Sequence, residues 1–158
     1  MILVDLNQVM ISNLMVQVGG NKNAELDENL FRHMILNTLR SNRTKFGDKF
    51  GELVICCDDK NFWRRERFPY YKANRKKYRD ESAVDWSTVF NTLNKVRDEI
   101  EEFFPYKVIR IETAEADDVI GTLVKLRDQT HNTGDPMHDE PTLILSGDKD
   151  FIQLHKYK

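Results

Sequence analysis

Carboxylates recur at one kind of position along this chain. Asp5 closes the apolar run ILVD, Asp58 and Asp59 follow LVICC, and Asp148 and Asp150 follow LILSG. Glu115, Asp117 and Asp118 open the helical pattern EADDVIGTL. In an open parallel sheet the carboxyl ends of the strands share one edge, and ligands bind in the crevice there. Four separate segments would thus deliver acids to one rim. Glu115 and Asp118 are three residues apart, so both can lean to one helix face. Crowded carboxylates repel one another, and a cation relieves that repulsion. Oxygen donors select hard ions, with Mg²⁺ or Mn²⁺ the best fit, and no His or Cys cluster points to zinc. Two such ions about 3.5–4 Å apart can activate water and stabilise the leaving oxygen of an in-line phosphoryl displacement. A lone Asp at a strand end or helix start is more often structural; four coincident placements weigh against that for the set. The pattern leaves nucleases and other magnesium phosphoryl-transfer enzymes both open.

A cationic segment adjoins the rim. Of the chain's 24 basic residues, nine lie between Lys60 and Arg79, with Glu66 the one acid among them, although the net charge is −2. Phe62, Trp63, Phe68, Tyr70, Tyr71 and Tyr78 interleave with these cations. Guanidinium and ammonium groups pair with phosphates, and aromatic faces stack on unpaired bases. A charge run alone is usually a solvated face. The aromatic density, and the position directly after Asp58, favour a single-strand grip.

The elements needed to position these groups are legible as apolar patterning. Ile2–Asp5, Leu53–Cys57, Tyr106–Ile111 and Thr142–Leu145 read as strands. Helices are expected over Leu26–Phe46, with Asp27 as cap and Leu30, Met34, Leu36 and Leu39 facing inward, and over Asp85–Phe104, with Val89, Leu93, Val96, Ile100 and Phe103 inward. A third runs Ala116–Arg127 on Val119, Ile120, Leu123 and Leu126, and another begins over Phe151–His155. Thr130–Pro141 reads as a loop. The expected fold class is α/β: a PIN-like or Rossmann-like, mainly parallel central sheet flanked by helices, with a basic helical arch at 60–81. With 158 residues, one domain is expected. No run resembles a membrane span or secretory signal. Adjacent Cys56 and Cys57 should point to opposite faces as buried reduced thiols, and the location is expected to be cytoplasmic. Gly19-Gly20 reads as a turn, not a phosphate loop. None of His33, His131, His138 or His155 reads as a ligand; Trp63 and Trp86 read as anchors of arch or core.

LVICCDD, FWRRERFPYYKANR, EADDVIGTL and SGDKDFIQL, in that order, resemble the blocks of the 5′ nuclease superfamily, which includes flap endonucleases. The WRR block and the closing QLHKY are most similar to the ribonuclease H branch of T-even bacteriophages, and the resemblance spans nearly the whole chain. It implies a Mg²⁺-dependent, structure-specific 5′ nuclease acting on RNA·DNA hybrids and 5′ flaps during removal of RNA primers in phage replication, within the host cytoplasm, with Mn²⁺ as substitute. By position, Asp5, Asp58, Glu115, Asp117, Asp118, Asp148 and Asp150 look like metal-binding acids; Asp117 holds a place where the phage branch can carry an amide. Asp58, Glu115, Asp118 and Asp148 belong nearest the first ion, and Asp150 to the second. Lys72 and Arg75 resemble the arch residues that contact the scissile phosphate, and Arg64, Arg65 and Lys76 resemble strand-binding residues. Asp59 has no equally clear role.

Members of that superfamily continue well past the SGDKDF block, with a helix-three-turn-helix part and a further metal-binding Asp. This chain is expected to be the N-terminal catalytic domain alone, 1–158, with the second metal site short of a ligand. Two alternatives stand beside the autonomous nuclease. One is a non-autonomous nucleic-acid-binding half that needs a C-terminal chain or other replication proteins as partner. The other is a PIN-type ribonuclease, against which the long YKANR arch counts.

Overall fold

The computed structural model describes residues 1–18, 25–80, 84–130 and 141–157, less the side chains of Lys76, Tyr78, Asp80 and Thr130. Strand β1, Ile2–Asp5, and strand β2, Leu53–Cys57, are buried at every residue. A run with no polar alternation suits a strand covered on both faces, as in a parallel sheet. With β3 (Lys107–Arg110) and β4 (Leu143–Leu145), they form a four-stranded sheet in the order β3-β2-β1-β4. Every pairing is parallel, with Asp5 beside Cys56 and Cys57 beside Arg110.

Helices cover both faces. Helices α1 (Leu6–Val18), α2 (Glu28–Phe50) and α5 (Trp86–Phe103) pack on Ile2, Val4, Leu53, Ile55 and Cys57. Helix α6 (Ala116–Thr130) and a closing 3-10 helix (Lys149–Lys156) pack on Leu3, Val54 and Cys56. Cys56 and Cys57 thus lie in different cores, as strand alternation requires, and both are free thiols. Between β2 and α5 lie α3 (Trp63–Arg67) and α4 (Ala73–Asp80), which carry the basic segment. The chain steps from β1 to β2 to β3 in one direction. Helix α6 then carries it back to β4 on the other side of β1. That reversal opens the crevice at the carboxyl ends of β1 and β4.

Local chemistry explains the helix ends. The Asp27 carboxylate accepts the Asn29 and Leu30 backbone N–H groups, each at 3.0 Å, and Asp85 likewise accepts from Ser87 and Thr88. Gly51 ends α2 at φ 78°, where a side chain would be strained. Several inward faces differ from expectation. The buried stripe of α2 is Phe31, Ile35 and Leu39, and Leu30 is 46% exposed. Phe103 at the end of α5 also faces outward, as does Leu126 on α6, where Val124 is buried instead. On α2 the inward face is rotated by about one residue, which neighbouring aliphatics made equally readable, whereas the expected α5 face, Val89, Leu93, Val96 and Ile100, holds and only its last residue, Phe103, lies outside. Helix α1 has no counterpart in the sequence reading, and the helix expected to begin over Phe151–His155 is a 3-10 helix spanning Lys149–Lys156. His33 and His155 are exposed; Gly19, Gly20, His131, His138 and nearly all of the 130–141 loop lie outside the described residues. No helix among the described residues is long and apolar enough to cross a membrane.

Candidate active site

The acids arrive as the topology dictates. Asp5 is the last residue of β1, Asp58 follows β2 directly, Glu115 and Asp117 flank the start of α6, and Asp148 caps the 3-10 helix after β4. All five line one cleft of about 710 Å³. Its other walls carry Lys60, Arg65, Lys72, Arg75 and Arg79, so the cationic segment faces the acidic rim across the cleft. Asp118 and Asp150 are not among the residues lining that cleft. Asp150 is exposed, and its N–H donates to Asp148 Oδ1 at 2.9 Å. The Lys76 side chain lies outside the described residues.

Each acid has a distinct set of partners. Asp5 is buried and accepts from the Gln8 N–H at 3.1 Å and from Ser146 Oγ at 3.4 Å. Burial pushes its carboxyl above the usual range, and the charges of Asp58 and Asp148 add to that. Asp117, half-buried against Asp5, Asp58 and Asp148, is pushed up to about 6, mainly by burial. Asp58 accepts from the Asn7 amide and from the Ala116 N–H at 2.7 Å. It thereby ties the end of β2 to the start of α6.

Glu115 is 1% exposed, and its oxygens receive Lys72 Nζ, Arg64 Nη1 at 2.8 Å and Tyr71 Oη–H at 3.0 Å. Asp118 receives Arg64 Nη2 at 2.6 Å, Trp63 Nε1 at 3.1 Å and the Glu115 N–H at 3.1 Å. Burial alone would raise Asp118, but these donors outweigh it and hold its carboxyl low. The same exchange acts on Lys72: burial would lower its ammonium, and Glu115 and Tyr71 raise it. Glu115 and Asp118 therefore share a helix face, as expected, and Arg64 bridges them. Arg64 is read from sequence as a strand-binding cation; here its guanidinium is spent on these two acids, with its Cζ 4.7 Å from the Trp63 ring centroid. Arg65 and Arg75 are exposed and remain turned to the cleft.

The loop ahead of Glu115 is braced by Asp59. The Asp59 carboxylate accepts the Thr113 N–H at 2.9 Å, and its own N–H donates to the Ala114 carbonyl at 2.9 Å. The Trp63 N–H donates to the Thr113 carbonyl at 2.9 Å. Thr113 sits at φ 63°, a left-handed conformation costly for a β-branched residue. Asn7, Ser146, the Tyr71 hydroxyl and Asp59 were not singled out for these contacts. Proximity to the acids in sequence signalled only Asn7 and Ser146; the contacts of Tyr71 and Asp59 span 44 and 54 residues.

Among the described residues, no three acidic, His or Cys side chains converge tightly enough to hold an ion in this conformation. The donor chemistry nevertheless fits a hard cation. The cleft offers carboxylate oxygens, and crowding and burial drive Asp5 and Asp117 upward.

The fold is that of several phage proteins of known structure. The T5 D15 protein co-crystallised with metal ions superposes with TM-score 0.66 at 18% identity, covering 97% of this chain and 50% of that one. T5 5′-exonuclease with bound zinc superposes with TM-score 0.67 at 18% identity, covering 98% and 51%. The T5 D15 flap endonuclease in a complex with DNA and metal ions superposes with TM-score 0.64 at 19% identity, covering 95% and 49%. Residues 29–158 match the 5′-3′ exonuclease N-terminal resolvase-like domain, and the chain belongs to that family. Ribonuclease H of Enterobacteria phage T4 is 37% identical over 98% of this chain and 48% of its own length. DNA polymerase I of Pseudomonas aeruginosa is 31% identical over 76% of this chain and 11% of its own length. The chain spans about half the length, or less, of the curated relatives it matches.

Proposed function

We propose that this chain carries the catalytic acids and the substrate arch of a divalent-metal 5′ nuclease that hydrolyses phosphodiester bonds in RNA·DNA hybrids and 5′ flaps. One observation carries the reading: acids from four separated segments meet in a single cleft whose facing wall is the basic arch. The family membership and the similarity to a phage ribonuclease H support it.

Mg²⁺, with Mn²⁺ as substitute, would be held by Asp5, Asp58, Asp117 and Asp148, and by Glu115 and Asp118 in competition with Lys72 and Arg64. Asp150 is the reserve for a second ion. The bound ion would lower the pKa of water and offset charge on the phosphate. The chain's own residues do the rest. Lys72 and Arg75 meet the scissile phosphate from the arch, and Lys72 trades Glu115 for that phosphate when substrate enters. Arg65, with Lys76, holds the strand beyond. Asn7 keeps Asp58 oriented and Ser146 keeps Asp5 oriented.

The test is cleavage of labelled 5′-flap DNA and of an RNA·DNA duplex with Mg²⁺, with and without EDTA, by the chain and by Asp148→Asn. Metal-dependent cutting that Asp148→Asn abolishes is expected. Survival of cleavage in Asp148→Asn sinks the metal assignment. A non-autonomous nucleic-acid-binding half is the second reading: among the described residues no three acids converge tightly enough to hold an ion. It predicts no cutting alone and recovery on adding the remaining half of such a relative.

A further inference from the structure

Gln8 is a cleft residue to which neither the acids nor the arch assigns a task. It stands in the first turn of α1, half-buried, three residues after Asp5. Its backbone N–H is spent on Asp5 Oδ1. Its amide end lies over Gly147, so close that a Cβ on that residue would stand 2.9 Å from Gln8 Nε2. Gly147 separates Ser146, whose hydroxyl donates to Asp5, from Asp148. The Gln8 carboxamide is therefore held at the seam between the ends of β1 and β4, beside two of the rim acids, and the bare backbone of Gly147 gives it room. The other amides that line the cleft are occupied. Asn7 donates to Asp58, and Asn94 Oδ1 accepts from Arg97 at 3.0 Å. The Gln8 carboxamide makes no hydrogen bond among the described residues. It offers a carbonyl acceptor and two N–H donors. A phosphate oxygen uses only the donors, and a hard cation only the carbonyl oxygen. A hydroxyl both donates and accepts, so it uses both ends of the carboxamide.

Resting on the nuclease reading above, we infer that Gln8 reads the sugar: its carboxamide binds the ribose 2′-hydroxyl of the nucleotide whose 3′ oxygen carries the scissile phosphate. That hydroxyl sits on the carbon next to the one bearing the 3′ oxygen. A group beside Asp5 and Asp148, the acids that face the phosphate, is therefore beside the hydroxyl as well. The 2′-hydroxyl is what lets a protein tell RNA from DNA at a given sugar. A deoxyribose there leaves the carboxamide to water. Gln8 is thus a specificity-determining residue, separate in role from the acids and the arch cations, and it favours a ribonucleotide at the cut.

The experiment uses the intact chain and a labelled DNA with a 5′ single-strand flap, binding being followed by fluorescence anisotropy in EDTA and again in Ca²⁺. A single ribonucleotide is moved one position at a time across the junction. One position should bind roughly three- to tenfold tighter as ribose than as deoxyribose, the scale of one neutral hydrogen bond. Gln8→Met, which keeps a straight side chain without the amide, should erase that gain and leave affinity for the all-DNA flap unchanged. Gly147→Ala, whose added Cβ crowds the amide, should shrink the gain in the same way. A gain absent at every position, or undiminished in either variant, overturns the ribose site and leaves the nuclease reading intact. So does an equal loss on ribose and deoxyribose in Gln8→Met, which marks a plain strand contact. Absence of binding to any of these flaps overturns both readings.

Discussion

Lys72 holds its ammonium on a buried glutamate while its own backbone sits at φ 55°, a conformation that costs a non-glycine residue of order 1–3 kcal/mol. Such strain persists only where the surroundings enforce it, here the arch turn and the Glu115 contact. Lys72→Ala should therefore lower kcat far more than it raises KM; an equal loss in both would reassign Lys72 to strand grip. Arg64 competes with cations for Glu115 and Asp118. Arg64→Ala should tighten Mn²⁺ binding measured by calorimetry while lowering activity, and unchanged affinity would argue that these two acids do not hold the ion. Asp59 is assigned here to the Thr113 turn. Asp59→Ala frees Thr113 from its brace and should cut kcat about tenfold, the scale of one lost hydrogen bond to a charged group. Adding Thr113→Gly should restore most of that rate, because glycine takes a left-handed φ without strain. No recovery in the double variant would place Asp59 in another role.

Helix α2 shows what the elements contribute. Its Phe31, Ile35 and Leu39 are fully buried in the core with residues of the sheet and α1, and none of them lines the cleft. Phe31→Ala should cost about 3–5 kcal/mol in urea unfolding and shift metal affinity little. A small stability loss would mean that α2 packs differently. The arch helices are a contrast. Helix α3 buries no residue, and Phe68 and Tyr70 are 63% and 91% exposed. Their order comes from Arg64, Trp63, Tyr71 and Lys72 gripping Glu115 and Asp118, so the acidic rim and the arch stabilise one another.

At the scale of the molecule, two cores on opposite sheet faces each contain one thiol raised by burial to about 12. A folded-state value above the ordinary 9 means that the unfolded chain releases these protons first. Stability from this source is complete below about pH 9 and is lost as pH rises toward 12. Chemical denaturation between pH 8 and 10.5 should show that decline, and Cys56→Ala should reduce its slope. The cationic arch carries a second global expectation: affinity for flap DNA should fall steeply as salt rises, since phosphate contacts release counterions. A flat salt response would remove the arch from substrate binding.

Apolar runs and strand-end acids already determined the sheet, the rim and the opposite burial of Cys56 and Cys57, because residue alternation and parallel strand direction are local rules. The helical rotation of α2 and the existence of α1 were not legible, since several aliphatic stripes satisfied the same period and only packing against the sheet chose among them. The acids Asp5, Asp58, Glu115, Asp117 and Asp148 could be gathered from sequence into one rim. Which of them carries which partner was decided by tertiary structure alone. Arg64 is given to Glu115 and Asp118, and Asp59 to Thr113. Hydrogen bonds and ion pairs depend on ångström-scale approach between segments some 50 residues apart, and no local pattern encodes that distance.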